Sequence, residues 1–508
     1  MTDTPNANPT TPSQPPPQRR PEGSIRETLE SILIAFVLAF VFRAFVVEAF
    51  VIPTGSMAPT LLGQHAHLTC PQCGYRYTIG PTETLLQTPI CPMCDYAIPV
   101  SNKTLSQIAR GPDAGDRILV LKYPYQFSEP TRWDVVVFKN PKKPEENYIK
   151  RLVGLPGEEL RLVAGNVYTR PLAGDKGMGP WQIQRKPAFV QRAVWQPIYH
   201  STFYPLDAQI RPWKTPWQPA GPTADRWTLS DNGQEYRFNS PDAQPGVLSF
   251  RFSRRTASQY YAYNMLGRGP GEEFVDEMRI AATVIPQGPG ARATFTTTGR
   301  SMAFRAVIEP DGKISLHRSV MGETGPGAWS EPLVQGRTRP LPADRASRVE
   351  FWHADQALSL WIDGALAAYW TYDMDMDQPA NVQPTRQPPA AAIEVQGPTV
   401  AMRDIELDRD LYYTQSFGRP IFGAATNPAV IPPDRFFVMG DNSPQSEDSR
   451  LWGFVDEWVA FYTDVETGLV PRDLMIGRAF FVYFPAPLPL SPDGPAVIPN
   501  FGNMRFIH

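Results

Sequence analysis

The stretch Val349-Glu-Phe-Trp-His-Ala354-Asp-Gln-Ala-Leu358-Ser-Leu-Trp-Ile362-Asp-Gly364 decides the fold. Two runs rich in β-branched and aromatic residues flank Ala354-Asp-Gln, and Asp363-Gly364 starts another return, which is the pattern of tight hairpins. Upstream, Phe304, Ala306 and Ile308 alternate with polar neighbours before Pro310-Asp-Gly-Lys turns into Ile314-Ser-Leu-His. Residues 274–415 therefore read as a meander of antiparallel strands, the signature of a β-sandwich. Closer to the N-terminus, Asp116-Arg-Ile-Leu-Val-Leu-Lys and Trp133-Asp-Val-Val-Val-Phe-Lys are further short strand runs. The Pro- and Trp-rich residues 185–270 carry no clear period.

Composition agrees with a mainly β protein. Pro is 56 of 508 residues, roughly twice the ordinary ~5%, and proline is excluded from helix interiors and central strands. A large helical bundle is thereby disfavoured. At ~150 residues per domain the length allows two to four domains. A hydrophobic share of 42% and a charged share of 19% exclude global disorder. The net charge of −3 gives no basic surplus for nucleic-acid binding.

Residues 1–23 are polar and Pro-rich, with nothing to bury, and read as a disordered cytoplasmic tail. Ser24-Ile-Arg-Glu27 has the form of a capping box. Ile32 to Phe42 carries no polar side chain, and Arg43 and Glu48 interrupt its continuation to Ile52. At 1.5 Å per residue, Ile32–Ile52 spans ~31 Å, enough to cross the hydrocarbon. A buried core helix would need other helices to cover it, and a cleaved leader would need a small-x-small site; neither is evident. Residues 24–52 are expected to be a transmembrane anchor. Arg19, Arg20 and Arg26 precede the span, and no Lys or Arg follows Arg43 until Arg76. The positive-inside bias puts the N-terminus in the cytoplasm and the rest beyond a single-pass cytoplasmic membrane.

All four cysteines fall in Cys70-Pro-Gln-Cys73 and Cys91-Pro-Met-Cys94, with seventeen residues between the pairs. C-x2-C-x17-C-x2-C is zinc-ribbon spacing: each knuckle offers two thiolates on one side, and two knuckles close a tetrahedron. The competing reading is two disulfides, suited to an oxidising compartment. Structural zinc is expected. His65 and His67 lie nearby and read as ordinary polar surface, since four thiolates already fill a site.

Three clusters carry candidate chemistry: Ile52-Pro-Thr-Gly-Ser56-Met-Ala-Pro-Thr-Leu61, Tyr148-Ile-Lys150-Arg-Leu-Val-Gly-Leu-Pro-Gly157-Glu, and Phe437-Val-Met-Gly440-Asp-Asn-Ser-Pro-Gln-Ser446-Glu-Asp448-Ser-Arg450-Leu-Trp-Gly453. A nucleophilic serine needs a base within hydrogen-bond reach. None of the six histidines sits in a motif-like setting, and Ser56 lies in neither G-x-S-x-G nor S-x-x-K. A lysine is left as the base, and Lys150 sits in a strand-like apolar run where desolvation lowers its pKa.

Together and in this order, the anchor and the three clusters, with Gly115-Asp-Arg-Ile-Leu-Val120, resemble bacterial type I signal peptidase. The resemblance covers residues ~25–67, ~111–168 and ~430–484. It implies a mostly β catalytic body at the outer membrane face and a serine–lysine dyad that needs no cofactor. By motif, Ser56 is the nucleophile and Lys150 the general base. Ser446 orients the lysine amine, and Thr54, where the family often has Ser, shares the oxyanion hole with the Ser56 N–H. Asp448 and Arg450 look like a supporting ion pair, and Gly440-Asp-Asn442 shapes the loop. Ser443 replaces a frequent basic residue. The stretch from Arg348 to Tyr413 is similar to laminin-G or concanavalin-like jelly rolls.

The expected organisation is a discontinuous catalytic body at 53–67, 101–184 and 425–490, a zinc-ribbon-like insert at 68–100, a jelly-roll insert at 185–415 and a C-terminal tail at 491–508. The implied function is a membrane-anchored serine endopeptidase cleaving signal peptides from exported preproteins. Its partners would be those preproteins and membrane lipid, not nucleic acid, with a carbohydrate or protein ligand as candidate for the jelly roll. The alternative is a surface-anchored binding protein that works through the jelly roll on a degenerate peptidase body.

Overall fold

The computed structural model describes residues 25–80, 88–98, 115–172, 179–210, 213–240, 242, 244–252, 263, 274–322, 325–382, 388–414, 422–489 and 496–508. The N-terminal tail expected at 1–23 and the capping Ser24 lie outside the described residues. The chain separates into two units, Met1–Glu48 and Ala49–His508.

Among the described residues of the first unit, Ile25–Phe45 is a helix with no buried residue. Its most apolar 18-residue stretch has mean hydropathy 2.0, and the 21-residue helix is long and apolar enough to cross a membrane. The helix is shorter than expected from sequence. It stops at Phe45, and Val47–Val51 is a strand, consistent with the strand preference of Val46, Val47 and Val51.

In the second unit, one antiparallel sheet runs in the order Arg117–Leu121, Met475–Phe484, Val135–Asn140, Lys143–Gly154, Arg435–Met439, Val470–Pro471. Its central strands are the β-branched runs read from sequence. Alternate residues face opposite sides: Val135, Val137 and Ile149 enter one apolar cluster, Val136, Phe138 and Leu152 another. Lys150, opposite Val136, is carried by the same pleat. A smaller sheet joins Ala429–Ile431, Glu158–Val163, Asn166–Pro171 and Gln182–Ile183.

The chain then builds two eight-stranded sheets. One includes Met278–Pro286, Ser347–Ala354, Ala357–Ile362, Ala365–Thr371 and Val400–Arg409; the other includes Arg292–Gly299, Met302–Ile308, Lys313–Gly322 and Ala391–Gln396. One core, with Trp217, Phe295, Phe304, Phe351, Leu358 and Leu407, draws on both sheets, so this is the sandwich that the alternation implied. Asp363 (φ +50°) and Gly364 (φ +79°) make the expected hairpin turn.

The neighbouring turn shows why the sandwich is more than an appendage. Asp355 (φ +49°) and Gln356 (φ +54°) hold left-handed backbone without glycine, a conformation that costs roughly 1–2 kcal/mol per residue. Both side chains are engaged across the molecule. Gln356 bonds Tyr168 in the smaller body sheet, and Asp355 accepts from both the backbone and the amine of Lys186. Arg300 donates to the Val163 carbonyl at 3.3 Å, and Arg161 to that of Met376 at 2.8 Å.

Candidate active site

Ser56 sits in a single 3-10 turn, Gly55–Met57, entered from extended Thr54. Met57 and Leu61 anchor the turn in the apolar cluster that contains Ile149. Ile52 N–H donates to the Asp116 carbonyl at 3.0 Å, tying the start of this segment to the sheet. The third cluster grips the turn from the other side: Asn442 N–H donates to the Ser56 carbonyl at 3.0 Å, and Asn442 Nδ2 to the Gly55 carbonyl at 2.9 Å. Gly440 is required here, because a Cβ would lie 2.4 Å from the Ser56 carbonyl oxygen.

Lys150 Nζ lies 2.8 Å from Ser56 Oγ and 3.1 Å from the Ile149 carbonyl. Both residues are buried, Ser56 at 8% exposure and Lys150 at 3%. Neither hydrogen-bond partner of the amine is charged. Burial, only partly offset by Asp448 and Glu447, lowers the lysine pKa from 10.5 to about 8. The amine is therefore neutral in an appreciable fraction of molecules near neutral pH and can accept a proton. Thr54 Oγ1 stands 3.5 Å from Ser56 Oγ. Residues far apart in sequence thus meet at one point.

Ser446 differs in detail. It is buried beside the turn, yet its Oγ has no hydrogen-bond partner among the described residues, and the amine it was expected to orient bonds elsewhere. Asp448 and Arg450 form a buried two-pronged pair at 2.8 Å on each arm, the strong geometry for carboxylate and guanidinium. Arg450 also bonds Ser443 Oγ and O at 2.8 and 2.9 Å, and Thr414 N–H donates to that Oγ at 2.9 Å. Ser443 is thus part of the brace.

Sequence reasoning missed a second brace. Arg151 bonds Asp441 at 2.8 and 2.7 Å with both side chains out of solvent, and also reaches the Trp133 carbonyl at 2.9 Å. The signal was present, since both residues stand inside the quoted clusters, but two charges carry no record of pairing across 290 positions.

The four cysteines carry no disulfide. Cys70 Sγ is 3.6 Å from Cys94 Sγ, and Cys73 Sγ is 3.5 Å from Cys91 Sγ. All four sulfurs lie within 4.8 Å of one another. A tetrahedron with ~2.3 Å metal–sulfur bonds has edges of about 3.8 Å, so the donor set and spacing fit one tetrahedral metal. His65 corrects the surface reading. It is buried, with Nδ1 2.6 Å from the Gly63 carbonyl and Nε2 3.1 Å from His67 Nε2. Burial, then the neighbouring His65, lowers the His67 pKa to about 4.

A second lysine with a buried side chain lies elsewhere. Lys186 Nζ is 2.6 Å from Asp355 and 2.9 Å from Asp410. Glu277 completes a group of three buried carboxyl groups and takes a 2.9 Å bond from Asn166. Burial pulls the Lys186 pKa down, but Asp355, Asp410 and Glu277 outweigh it and raise it. Burial, then the charges of Asp355 and Asp410, raises that of Glu277.

These segments match the family described as signal peptidase, peptidase S26, over residues 25–83, 99–178 and 389–484. The chain's β body, with its serine and lysine in contact, is similar to that class over these segments. More narrowly, it resembles the type I enzymes. It is 29% identical to signal peptidase I of Rickettsia bellii (strain OSU 85-389) over 139 residues, 27% of this chain and 37% of that protein. It is 31% identical to signal peptidase I of Buchnera aphidicola subsp. Schizaphis graminum over 134 residues, 26% of this chain and 30% of that one. Against a probable signal peptidase I-2 of Synechocystis it is 28% identical over 154 residues, 29% and 47%. The chain spans less than half the length of these relatives. Among solved structures, the carbohydrate binding module CBM66 from Bacillus subtilis aligns at 10% identity and TM-score 0.25, over 38% of this chain and 95% of that one. A Bacillus licheniformis β-glucanase aligns at 12% and TM-score 0.25, over 38% and 92%.

Proposed function

We propose that this protein is a membrane-anchored serine endopeptidase that removes N-terminal signal peptides from exported preproteins. The observation that carries the reading is the 2.8 Å approach of a buried serine hydroxyl to a buried lysine amine with no charged hydrogen-bond partner. Neutral Lys150 takes the proton as Ser56 Oγ attacks the scissile carbonyl. The Ser56 N–H and the Thr54 hydroxyl stabilise the oxyanion. The Lys150 ammonium returns the proton to the leaving amine, and a water, deprotonated in turn by Lys150, hydrolyses the acyl-enzyme. Ser446 is the proposed partner of the ammonium once it forms, when its unpaired hydroxyl gains a bond. The Asp448–Arg450 brace shapes the loop that carries it.

The apolar helix closely precedes Ser56 in sequence, which suits a scissile bond next to a lipid-held signal segment. We take the N-terminus as cytoplasmic and the body as extracytoplasmic, with the boundaries expected from sequence. Zinc is the proposed metal of Cys70, Cys73, Cys91 and Cys94, and its role is structural. Preproteins and lipid are the proposed partners, and the sandwich is proposed to hold a carbohydrate or protein ligand.

The test is cleavage of a preprotein bearing an Ala-x-Ala site, presented in vesicles, by the full chain and by Ser56→Ala. Site-specific cleavage by the first alone supports the reading. Equal inactivity would favour a binding protein built on a degenerate peptidase.

A further inference from the structure

The turn that carries Ser56 is held from a third direction, by a residue far from every catalytic motif. Tyr263 lies in sequence between two strands of the sandwich, Gly246–Phe250 and Met278–Pro286, and is 4% exposed. Its hydroxyl donates to the Gln64 carbonyl at 2.7 Å, and its own carbonyl accepts from Gly80 N–H at 2.7 Å. Its ring lies against Gly55. A Cβ on Gly55 would stand 2.2 Å from Tyr263 Cε1 and 2.5 Å from its hydroxyl oxygen. On Gly80 it would stand 2.6 Å from the same ring carbon. Gly63 approaches the same backbone, where a Cβ would lie 2.1 Å from the Thr54 carbonyl carbon.

The Thr54–Gly55 backbone is therefore wedged among Gly63, the Tyr263 ring and the Asn442 side chain. Asn442 comes from the body and Tyr263 from the long inserted region. Gly80 follows the strand Arg76–Ile79, which pairs with Ala66–Thr69 in the hairpin between the serine and the second cysteine pair. One tyrosine ring thus contacts both the serine turn and the cysteine hairpin.

We propose that Tyr263 is a positioning residue for the nucleophile: the inserted region supplies the ring that fixes the Ser56 turn against Gly63 and Asn442. This rests on the peptidase reading for its catalytic consequence, but not for the clamp itself. The ring fills the space that any side chain at position 55 would need, so its removal frees the turn to shift. A displacement of ~1 Å at a reacting group costs up to ~10²-fold in rate. The hydroxyl contributes less, as a single neutral hydrogen bond.

The test has two arms on the full chain. In the first, amide hydrogen exchange of residues 53–64 is compared in wild type, Tyr263→Phe and Tyr263→Ala. Exchange should rise strongly in Tyr263→Ala and slightly in Tyr263→Phe; unchanged protection in Tyr263→Ala would overturn the clamp whether or not the protein cleaves peptides. In the second, kcat and KM for an Ala-x-Ala peptide are measured well below each variant's unfolding midpoint. Tyr263→Ala should lose about 10–100-fold in kcat with KM nearly unchanged, and Tyr263→Phe about threefold. The rising limb of the pH profile should stay in place, because Lys150 keeps its burial. A loss confined to KM, or a limb displaced toward free lysine, would overturn the positioning role. A wild type that cleaves nothing while the exchange arm holds would count against the peptidase reading alone.

Discussion

Lys150 and Lys186 both withdraw their side chains from water: Lys150 is a buried residue, and Lys186 is half-buried as a residue but has a buried side chain. Among the described residues, Lys150 bonds a hydroxyl and a carbonyl and no charged group. Lys186 is held by Asp355 and Asp410. The same desolvation therefore ends in opposite states, one pKa lowered to about 8 and the other raised. Burial does not by itself make a lysine basic chemistry; the partners decide. The comparison separates an amine proposed to exchange a proton from one that ties two parts of the fold together.

The largest expected effects follow from removing each lysine. Lys150→Ala, and Ser56→Ala equally, should lower cleavage by on the order of 10⁴-fold or more, and the double variant should be no worse than either single one. Their unfolding should stay close to wild type. Lys186→Met should do the reverse. It strands buried carboxylates, so denaturant unfolding should show a loss of about 3–5 kcal/mol, while residual folded protein keeps its kcat. A Lys150→Ala protein with near-native turnover, or a Lys186→Met protein as stable as wild type, would break the contrast.

A smaller effect belongs to Thr54→Val. It should cost on the order of 10²-fold in kcat, the scale of one oxyanion donor, and an unchanged rate would assign that hydrogen bond to another group. The four clustered cysteines are a third case. Elemental analysis of the purified chain should find about one zinc per chain. No metal, with four thiols blocked to alkylation until reduction, would mean two disulfides instead.

What was legible in the sequence was whatever is local. The alternation at 304–317 and 349–364 announced strands, because period two is written residue by residue. Ser56, Lys150 and the paired cysteines were legible because each sits in a short run of fixed spacing. The pairing of Arg151 with Asp441 was not, although both residues were in view, because nothing local records a partner 290 positions away. Tyr263 left no signal at all: it lies in a Pro- and Trp-rich region without period, and its role depends on three glycines that let a ring and two backbones meet. Lys186, Asp355 and Asp410 were hidden likewise, since Asp355 read only as a turn residue. The burial of His65 was misjudged because its main partner is a carbonyl two residues away, a contact that composition does not foretell.

The most direct test of the account is the pH dependence of kcat/KM for an Ala-x-Ala peptide. In the proposed mechanism Lys150 must be neutral, and burial lowers its pKa to about 8, so activity should rise with pH along a single deprotonation near 8. The linked effect on stability has the same sign. Between about pH 8 and 10.5 the unfolded chain holds the proton that the native lysine has released, so stability also rises with pH there. A rising limb centred near pH 8 that survives replacement of each histidine is the predicted result. A profile flat from about pH 6 to 10, or a limb abolished by mutating a histidine, would contradict the lysine base and with it the central claim.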